Sequence, residues 1–199
     1  MPNGTSPSPP KIVLASSSPR RRALLSDLRL VFAVEPAAFD EASVPVTAPE
    51  EWVKALADGK ALDVARRHPE ALVIGADTIV VIDGQILGKP KDQADARRML
   101  KLLSGRTHRV FTGVSLRHLS SGRRLVEVEA TDVTFGSLTD DVITRYIATG
   151  EPMDKAGAYA IQGYGATLVQ SIRGCYFNVV GLPLYRLARM LAFFGVEVF

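Results

Sequence analysis

"ALVIGADTIVVIDGQILGKP", residues 71–90, decides what kind of fold this chain can make. Residues 72–76 form a continuous apolar run of strand type, and residues 79–82 resume it. Asp83-Gly84 is a two-residue hairpin signal, after which the chain returns through Gln85-Ile86-Leu87. Asp77 interrupts the apolar run in its middle. A carboxylate there must bind a cation, accept hydrogen bonds or take up a proton. It is open to three readings: a metal ligand, a general base, or a structural Asp satisfied by backbone amides at a strand kink.

Upstream, Ile12-Val13-Leu14-Ala15 reads as a short buried strand feeding a helix over 19–28. Ser18 is suited to the N-cap and Pro19 to the first helical position, where its missing N–H costs nothing. The first turn then holds Arg20, Arg21 and Arg22, although a helix N-terminus disfavours each cation by about 0.3–1 kcal/mol. Arg21 shares a face with Leu24, Leu25 and Leu28, Arg20 borders that face, and Arg22 points to solvent. A strand around 31–35 leads to the acidic loop "AAFDEAS", residues 37–43. Thr47 and Glu50 predict a capping box for a helix of about twenty residues. Its apolar stripe of Val53, Leu56, Ala57 and Val64 includes Lys60, an expensive place for an ammonium without a partner.

Downstream, a helix over 92–103 opens at Asp92 and closes at Gly105. Two long strands, 107–118 and 124–135, join through Ser120-Ser121-Gly122. Thr139 caps a helix ending at Gly150. "KAGAYAIQGYGATLVQ", residues 155–170, reads as a helical turn, a glycine-rich bend and a strand, and Pro183 starts a final helix closing on Phe193 and Phe194. Helices alternating with strands, hairpins among them, argue for an α/β fold with a mixed β-sheet and flanking helices.

Composition narrows the partners. Twenty-four Lys plus Arg against 21 Asp plus Glu leave a net charge of only +3, too small an excess for a nucleic-acid binder but compatible with an anionic small molecule. The single cysteine, Cys175, excludes an internal disulfide and fits a reducing compartment. It reads as a buried small residue. No apolar stretch approaches the roughly 18 residues of a membrane span, and the first residues lack the apolar centre of a signal peptide, so the expected setting is the cytoplasm. Residues 1–11, rich in Pro and Ser, are expected to be a disordered tail before one domain over 12–199.

The chemistry-bearing residues fall into a basic and an acidic set. Arg20 and Arg21, with the amides of a helix start, would clamp phosphate, and Lys60 and Lys89 complete the positive charge. Asp40 and Glu41 could join Asp77 in a hard-cation site. Asp154, Lys155 and Gln162 lie among small residues, and a Gln amide can read a base edge as donor and acceptor together. There is no GxxxxGK[ST] and no GxSxG, the glycines at 163 and 165 do not complete GxGxxG, and three scattered histidines lack zinc-ligand spacing.

Taken together, "LASSSPRRRALL", "GADTIVV" with "LGKP", "LSGRTHRVFTGV" and "EPMDKAGAYAIQGYGA" with "NVVGLPL" resemble the Maf family of nucleoside triphosphate pyrophosphatases, in the family's order and over nearly the whole chain from residue 12. The resemblance implies two lobes around a central cleft, of the type shared with inosine triphosphate pyrophosphatases. It implies conversion of a nucleoside triphosphate and water to a monophosphate and pyrophosphate, assisted by Mg²⁺ or Mn²⁺, and a homodimer. By the resemblance, Asp77 is the proton acceptor, while Ser16, Arg20, Arg21, Glu41, Lys60 and Lys89 are cleft residues for phosphate and metal, with Glu41 and Asp77 as metal ligands. Arg20, Thr78 and Gln162 match the branch acting on dTTP and UTP, whereas the 7-methyl-GTP branch typically has Trp, Gln and Glu there. Thr78 and Gln162 are then expected to read the pyrimidine ring, with Lys155 beside them. Two alternatives are a nucleotide-binding regulator of cell division without turnover and a pyrophosphatase for other modified nucleotides.

Overall fold

A computed structural model describes residues 10–199 and centres them on β3 (Leu72–Ile82), the middle of a seven-stranded mixed sheet. The order is β2-β1-β3-β5-β6-β7, with β4 beside β3. β1 (Ile12–Ala15) lies parallel to both β2 (Phe32–Val34) and β3, whereas β5 (Thr107–His118), β6 (Arg123–Phe135) and β7 (Val169–Arg173) follow antiparallel. β4 (Gln85–Leu87) returns from the Asp83-Gly84 turn. The predicted mixed sheet with flanking helices is therefore present.

One edge of β3 is shared between two short partners. β1 pairs with Leu72–Gly75 and ends there, and β4 pairs only with Val80–Ile82. Residues 76–79 have no strand on that side. On the other edge β5 runs without a break from Leu72 to Val81. That continuous ladder corrects the expectation that Asp77 interrupts the strand: every position from Leu72 to Val81 keeps a cross-strand partner on β5, so the carboxylate is carried within one uninterrupted strand.

Successive side chains of β3 point to opposite faces. Leu72, Ile74 and Ala76 pack with Leu24 and Leu25 of α1 (Pro19–Asp27) and with Leu187 and Leu191 of α6 (Leu184–Phe193). Val80 and Ile82, on the same face, pack instead with α3 (Gln93–Leu103) and α4 (Asp140–Ala148). Between these two cores lies Thr78, paired across the sheet with Thr112. On the opposite face, Val73 joins a cluster with Ala61 and Val64 of α2 (Pro49–Ala65), and Ile79 and Val81 join another with Val53. Asp77 lies between those.

Several local expectations need correction. The Thr47–Glu50 capping box does not form: Pro49 takes the first helical position, which moves the cap to Ala48, a residue without a capping side chain. Pro183 stands at the cap of α6 and not inside it. A short helix, α5 (Tyr176–Val180), precedes it, and Cys175 at its cap is only half-buried. The Leu72 N–H donates to the Lys11 carbonyl at 2.8 Å, so the sheet begins one residue inside the expected tail, whose residues 1–9 lie outside those described. Among the described residues no helix is long and apolar enough to cross a membrane.

α2 lies directly on the sheet because two glycines leave room for it. A Cβ on Gly75 would stand 2.3 Å from the Ala57 carbonyl oxygen, and one on Gly113 would stand 2.4 Å from that of Val53. Gly113→Ala is expected to lower stability by at least about 2 kcal/mol, measured by urea unfolding, because helix backbone must move to admit the methyl group.

His108 is 2% exposed, stacks edge-on to Phe135 and Tyr159, and shares a 2.8 Å hydrogen bond with the Tyr159 hydroxyl. Burial pulls its imidazole from 6.5 down to about 4. The unfolded chain therefore binds the extra proton first as pH falls, and folding free energy is lost from pH 6.5 down to about 4, by roughly 3 kcal/mol in full. Urea unfolding at pH 7 and pH 4.5 should show that loss, and His108→Phe should shrink it while lowering stability at both pH values.

Candidate active site

A cleft of about 830 Å³ opens along the unpaired stretch of β3. Asp77, at 13% side-chain exposure, faces α2 and meets Lys60, whose own exposure is 15%. The Lys60 Nζ donates to Asp77 Oδ1 at 2.5 Å and reaches Glu41 Oε1 at 2.8 Å. The buried-stripe position of Lys60 thus has its explanation: the ammonium does not turn out to solvent but is held between two carboxylates. Glu41 is 56% exposed, so this carboxylate arrives from the solvent side. It sits on a 3₁₀ turn, Glu41–Ser43, whose cap is Asp40: the Asp40 carboxylate accepts the Ala42 N–H. Of the two acidic loop residues, one builds the turn and the other reaches the site.

Thr78 faces the other way and meets α1. Arg21 Nη2 donates to Thr78 Oγ1 at 3.0 Å, and its Nε donates to the Gly181 carbonyl at 2.8 Å. Thr112 gives its hydroxyl proton to the Asn178 carbonyl, so Thr78 donates to Thr112, 2.9 Å away. The Thr78 hydroxyl is therefore already engaged twice within the protein, a set of partners the sequence did not reveal. Burial works against the Arg21 charge and pulls its pKa down, Asp77 pushes it back up, and Arg20 adds to the fall. The cost of an arginine in this helix turn is offset by fixed acceptors on one side of its fork.

Ser16, Arg20, Lys89, Lys155 and Gln162 also line the cleft. Ser16 is 7% exposed, and its Oγ accepts the Ser18 N–H at 3.2 Å while keeping its own proton to donate. Lys155 Nζ is engaged with Asp154 Oδ1 at 2.5 Å and the Glu151 carbonyl at 2.7 Å. Lys89 follows Gly88, whose carbonyl accepts the Gly157 N–H and ties the two walls together. The ten residues that the resemblance assigns to phosphate, metal and base thus reach one cleft, as does Asp154, while Asp40 stays outside it; the cleft carries five cationic side chains against three acidic ones. The apolar wall of the cleft, which includes Trp52, Phe39 and Ile86, is not among the features expected from the sequence. One signal was available: Trp52, Leu56 and Lys60 follow at helical spacing.

Glu41 and Asp77 are hard oxygen donors that converge on the Lys60 ammonium, and two such carboxylates are a set a small divalent cation takes when phosphate supplies the remaining ligands. Among the described residues no group of three or more His, Cys, Asp or Glu side chains gathers for a metal. Two protein carboxylates suit a cation that is shared with a polyphosphate, and in that sense the residues fit.

Fold and site together define an α/β domain with a cationic cleft at the open edge of its central strand, suited to a polyanion. The chain belongs to the Maf family: the family described as Maf-like protein matches residues 11–194. It is 54% identical over 188 residues to a dTTP/UTP pyrophosphatase from Moorella thermoacetica, covering 94% of this chain and 97% of that one. A protein of the same name from Bacillus pumilus is 50% identical over 189 residues, covering 95% of this chain and 99% of the other. Among solved structures, a HAM1 protein from Coxiella burnetii aligns with a TM-score of 0.39 at 17% identity, over 63% of this chain and 72% of that one.

Lys60→Met strands the Asp77 carboxylate beneath α2 and is expected to cost about 3 kcal/mol of stability near neutral pH. Adding Asp77→Asn removes the stranded charge. The double variant should melt well above the Lys60→Met single variant, whereas equal melting temperatures would mean that the pair is not coupled.

Proposed function

We propose that this chain hydrolyses dTTP and UTP to the monophosphate and pyrophosphate. The observation that carries the reading is the ion-paired Asp77, held at the open edge of β3 beneath the cationic side chains of one cleft. The names of the relatives, at about half identity over nearly full length, agree with it. Arg20, Lys89 and the Ser16 hydroxyl, with the amides opening α1, bind phosphate oxygens. Arg21, anchored through Thr78 and Gly181, keeps one nitrogen for the same task. Water attacks the α-phosphorus, the bond from that phosphorus to the oxygen bridging the β-phosphate breaks, and pyrophosphate leaves with that oxygen. Asp77 accepts the proton released by the water. Lys60 orients the carboxylate and neutralises charge as the bond breaks, the preorganised electrostatics on which phosphoryl transfer chiefly depends.

Glu41 and Asp77 would hold Mg²⁺ or Mn²⁺, which when bound supplies charge neutralisation at the phosphates. An Asp77 oxygen engaged by a cation is not free to take a proton, so the two roles use different oxygens or different moments. Gln162, whose amide has no hydrogen-bond partner among the described residues, reads the pyrimidine ring with Thr78 beside it. The reading carries with it a cytoplasmic setting, in line with a lone cysteine, and a homodimer, for which the exposed Tyr176, Phe177 and Tyr185 offer surface.

The test is product analysis over dTTP, UTP, CTP, GTP, ATP and 7-methyl-GTP with Mg²⁺, with pyrophosphate and inorganic phosphate assayed separately. Pyrophosphate from dTTP and UTP alone is expected; release of inorganic phosphate would mean γ-cleavage and overturn the mechanism. Asp77→Asn should fold and lose at least about 100-fold in turnover.

A further inference from the structure

Glu151 and Tyr146 take no part in the chemistry above, yet they meet at the root of the loop that carries Gln162. Tyr146 rises from α4 and is 5% exposed, so the anchor is mounted in the core. Its hydroxyl donates to Glu151 Oε1 at 2.9 Å and accepts the Ala160 N–H at 3.2 Å. The same Oε1 accepts the Gly165 N–H at 2.9 Å, and Oε2 accepts the Tyr164 N–H at 3.0 Å. The backbone on both sides of Gln162 is thus tied to one pair of side chains. The two feet of the loop also approach closely: a Cβ on Gly165 would stand 2.3 Å from the Ala160 carbonyl oxygen and 2.6 Å from the Tyr146 hydroxyl. Between them Ile161 turns inward into the core, and Gln162 faces the cleft.

The Glu151 carboxylate is suited to this task. Burial pushes its pKa up, but the Gly165 N–H, the Tyr146 hydroxyl and the Tyr164 N–H outweigh that and hold it below the usual carboxylate range. It is therefore an ionised acceptor with three donors, and charge-assisted hydrogen bonds of this kind are the stronger and more rigid ones. Through its own carbonyl, Glu151 also receives Lys155 at 2.7 Å, so one residue braces two positions of the cleft wall.

We propose that the Tyr146–Glu151 pair is a positioning device that holds the Gln162 amide against the pyrimidine ring and so sets base selectivity. This rests on the reading of the cleft as a pyrimidine nucleotide site. Its physical warrant is that a recognition group displaced by a fraction of an ångström loses most of its discrimination, and a loop residue holds position only if its backbone is held. Neither side chain lines the cleft, so the effect is expected to be confined to the base.

The test is calorimetric binding of two probes, α,β-imido-dTTP and ribose 5′-triphosphate, which lacks a base. Glu151→Gln sets an amide N–H₂ against backbone N–H groups, and Tyr146→Phe removes the hydroxyl while keeping the ring in the core. Each variant should bind α,β-imido-dTTP about tenfold more weakly, the loss of roughly one good hydrogen bond, while ribose 5′-triphosphate binds as before. Gln162→Ala should weaken α,β-imido-dTTP comparably, and Glu151→Gln added to it should change little further. Amide exchange at Ala160, Tyr164 and Gly165 should quicken in both positioning variants, with α4 still protected. Equal weakening of both probes, additive effects in the double variant, or unchanged dTTP-analogue binding would overturn the proposal. Failure of the wild-type protein to release pyrophosphate, with these binding differences intact, would defeat the turnover reading and leave the positioning role standing.

Discussion

Everything in this domain depends on the divided edge of β3. A strand of eleven residues is long enough to serve two short partners on one side while a single long partner, β5, holds the other. The gap between the partners is where, among the described residues, ligand can approach the centre of the sheet along that edge without breaking a ladder. Because side chains alternate, the two polar residues in the gap are delivered to opposite faces: Asp77 to α2 and Thr78 to α1. Each finds a cation there, Lys60 on one side and Arg21 on the other. The cleft is thus a consequence of strand length and the two-residue period, and its chemistry follows from which helices cover the faces.

The same arrangement explains how the domain tolerates polar groups near its middle. Thr78 and Thr112 satisfy one another and pass the hydrogen-bond chain on to the Asn178 backbone carbonyl, so both hydroxyls at the boundary between the two cores on that face are hydrogen-bonded. On the other face the Lys60–Asp77 pair does the equivalent with charge. A partly buried ion pair contributes little to stability against an apolar alternative, yet removing one member is costly. Such a pair is better understood as a fixed electrostatic element of the site than as a strut of the fold.

Placement by indirect contacts recurs around the cleft. Arg21 is fixed through Gly181 and Thr78, Glu41 stands on a turn capped by Asp40, and the Gln162 loop is tied through Tyr146 and Glu151. The residues facing the ligand are thereby oriented by residues that do not, which lets a loop carry recognition with the accuracy of a helix or strand.

Element types and their order were legible in the residues alone, because these rest on local rules. The apolar runs of β1 and β3, the Asp83-Gly84 turn, the Asp92 and Thr139 caps and the paired strands around Gly122 are all written in spacing and turn chemistry. The sequence also marked the site through conflicts: three arginines at a helix start, a lysine on an apolar stripe and a carboxylate in an apolar strand each required a partner. Where local rules compete, the sequence misleads: Pro49 takes the first helical position and displaces the Thr47 cap. Which partner each misplaced charge receives follows from how the chain packs in three dimensions. Lys60 and Asp77 are 17 positions apart, Arg21 and Thr78 57, and Arg21 and Gly181 160. No local pattern encodes contacts over such separations. They arise when strand register and helix packing bring distant segments to one edge, and the division of β3 between β1 and β4 is what leaves that edge open.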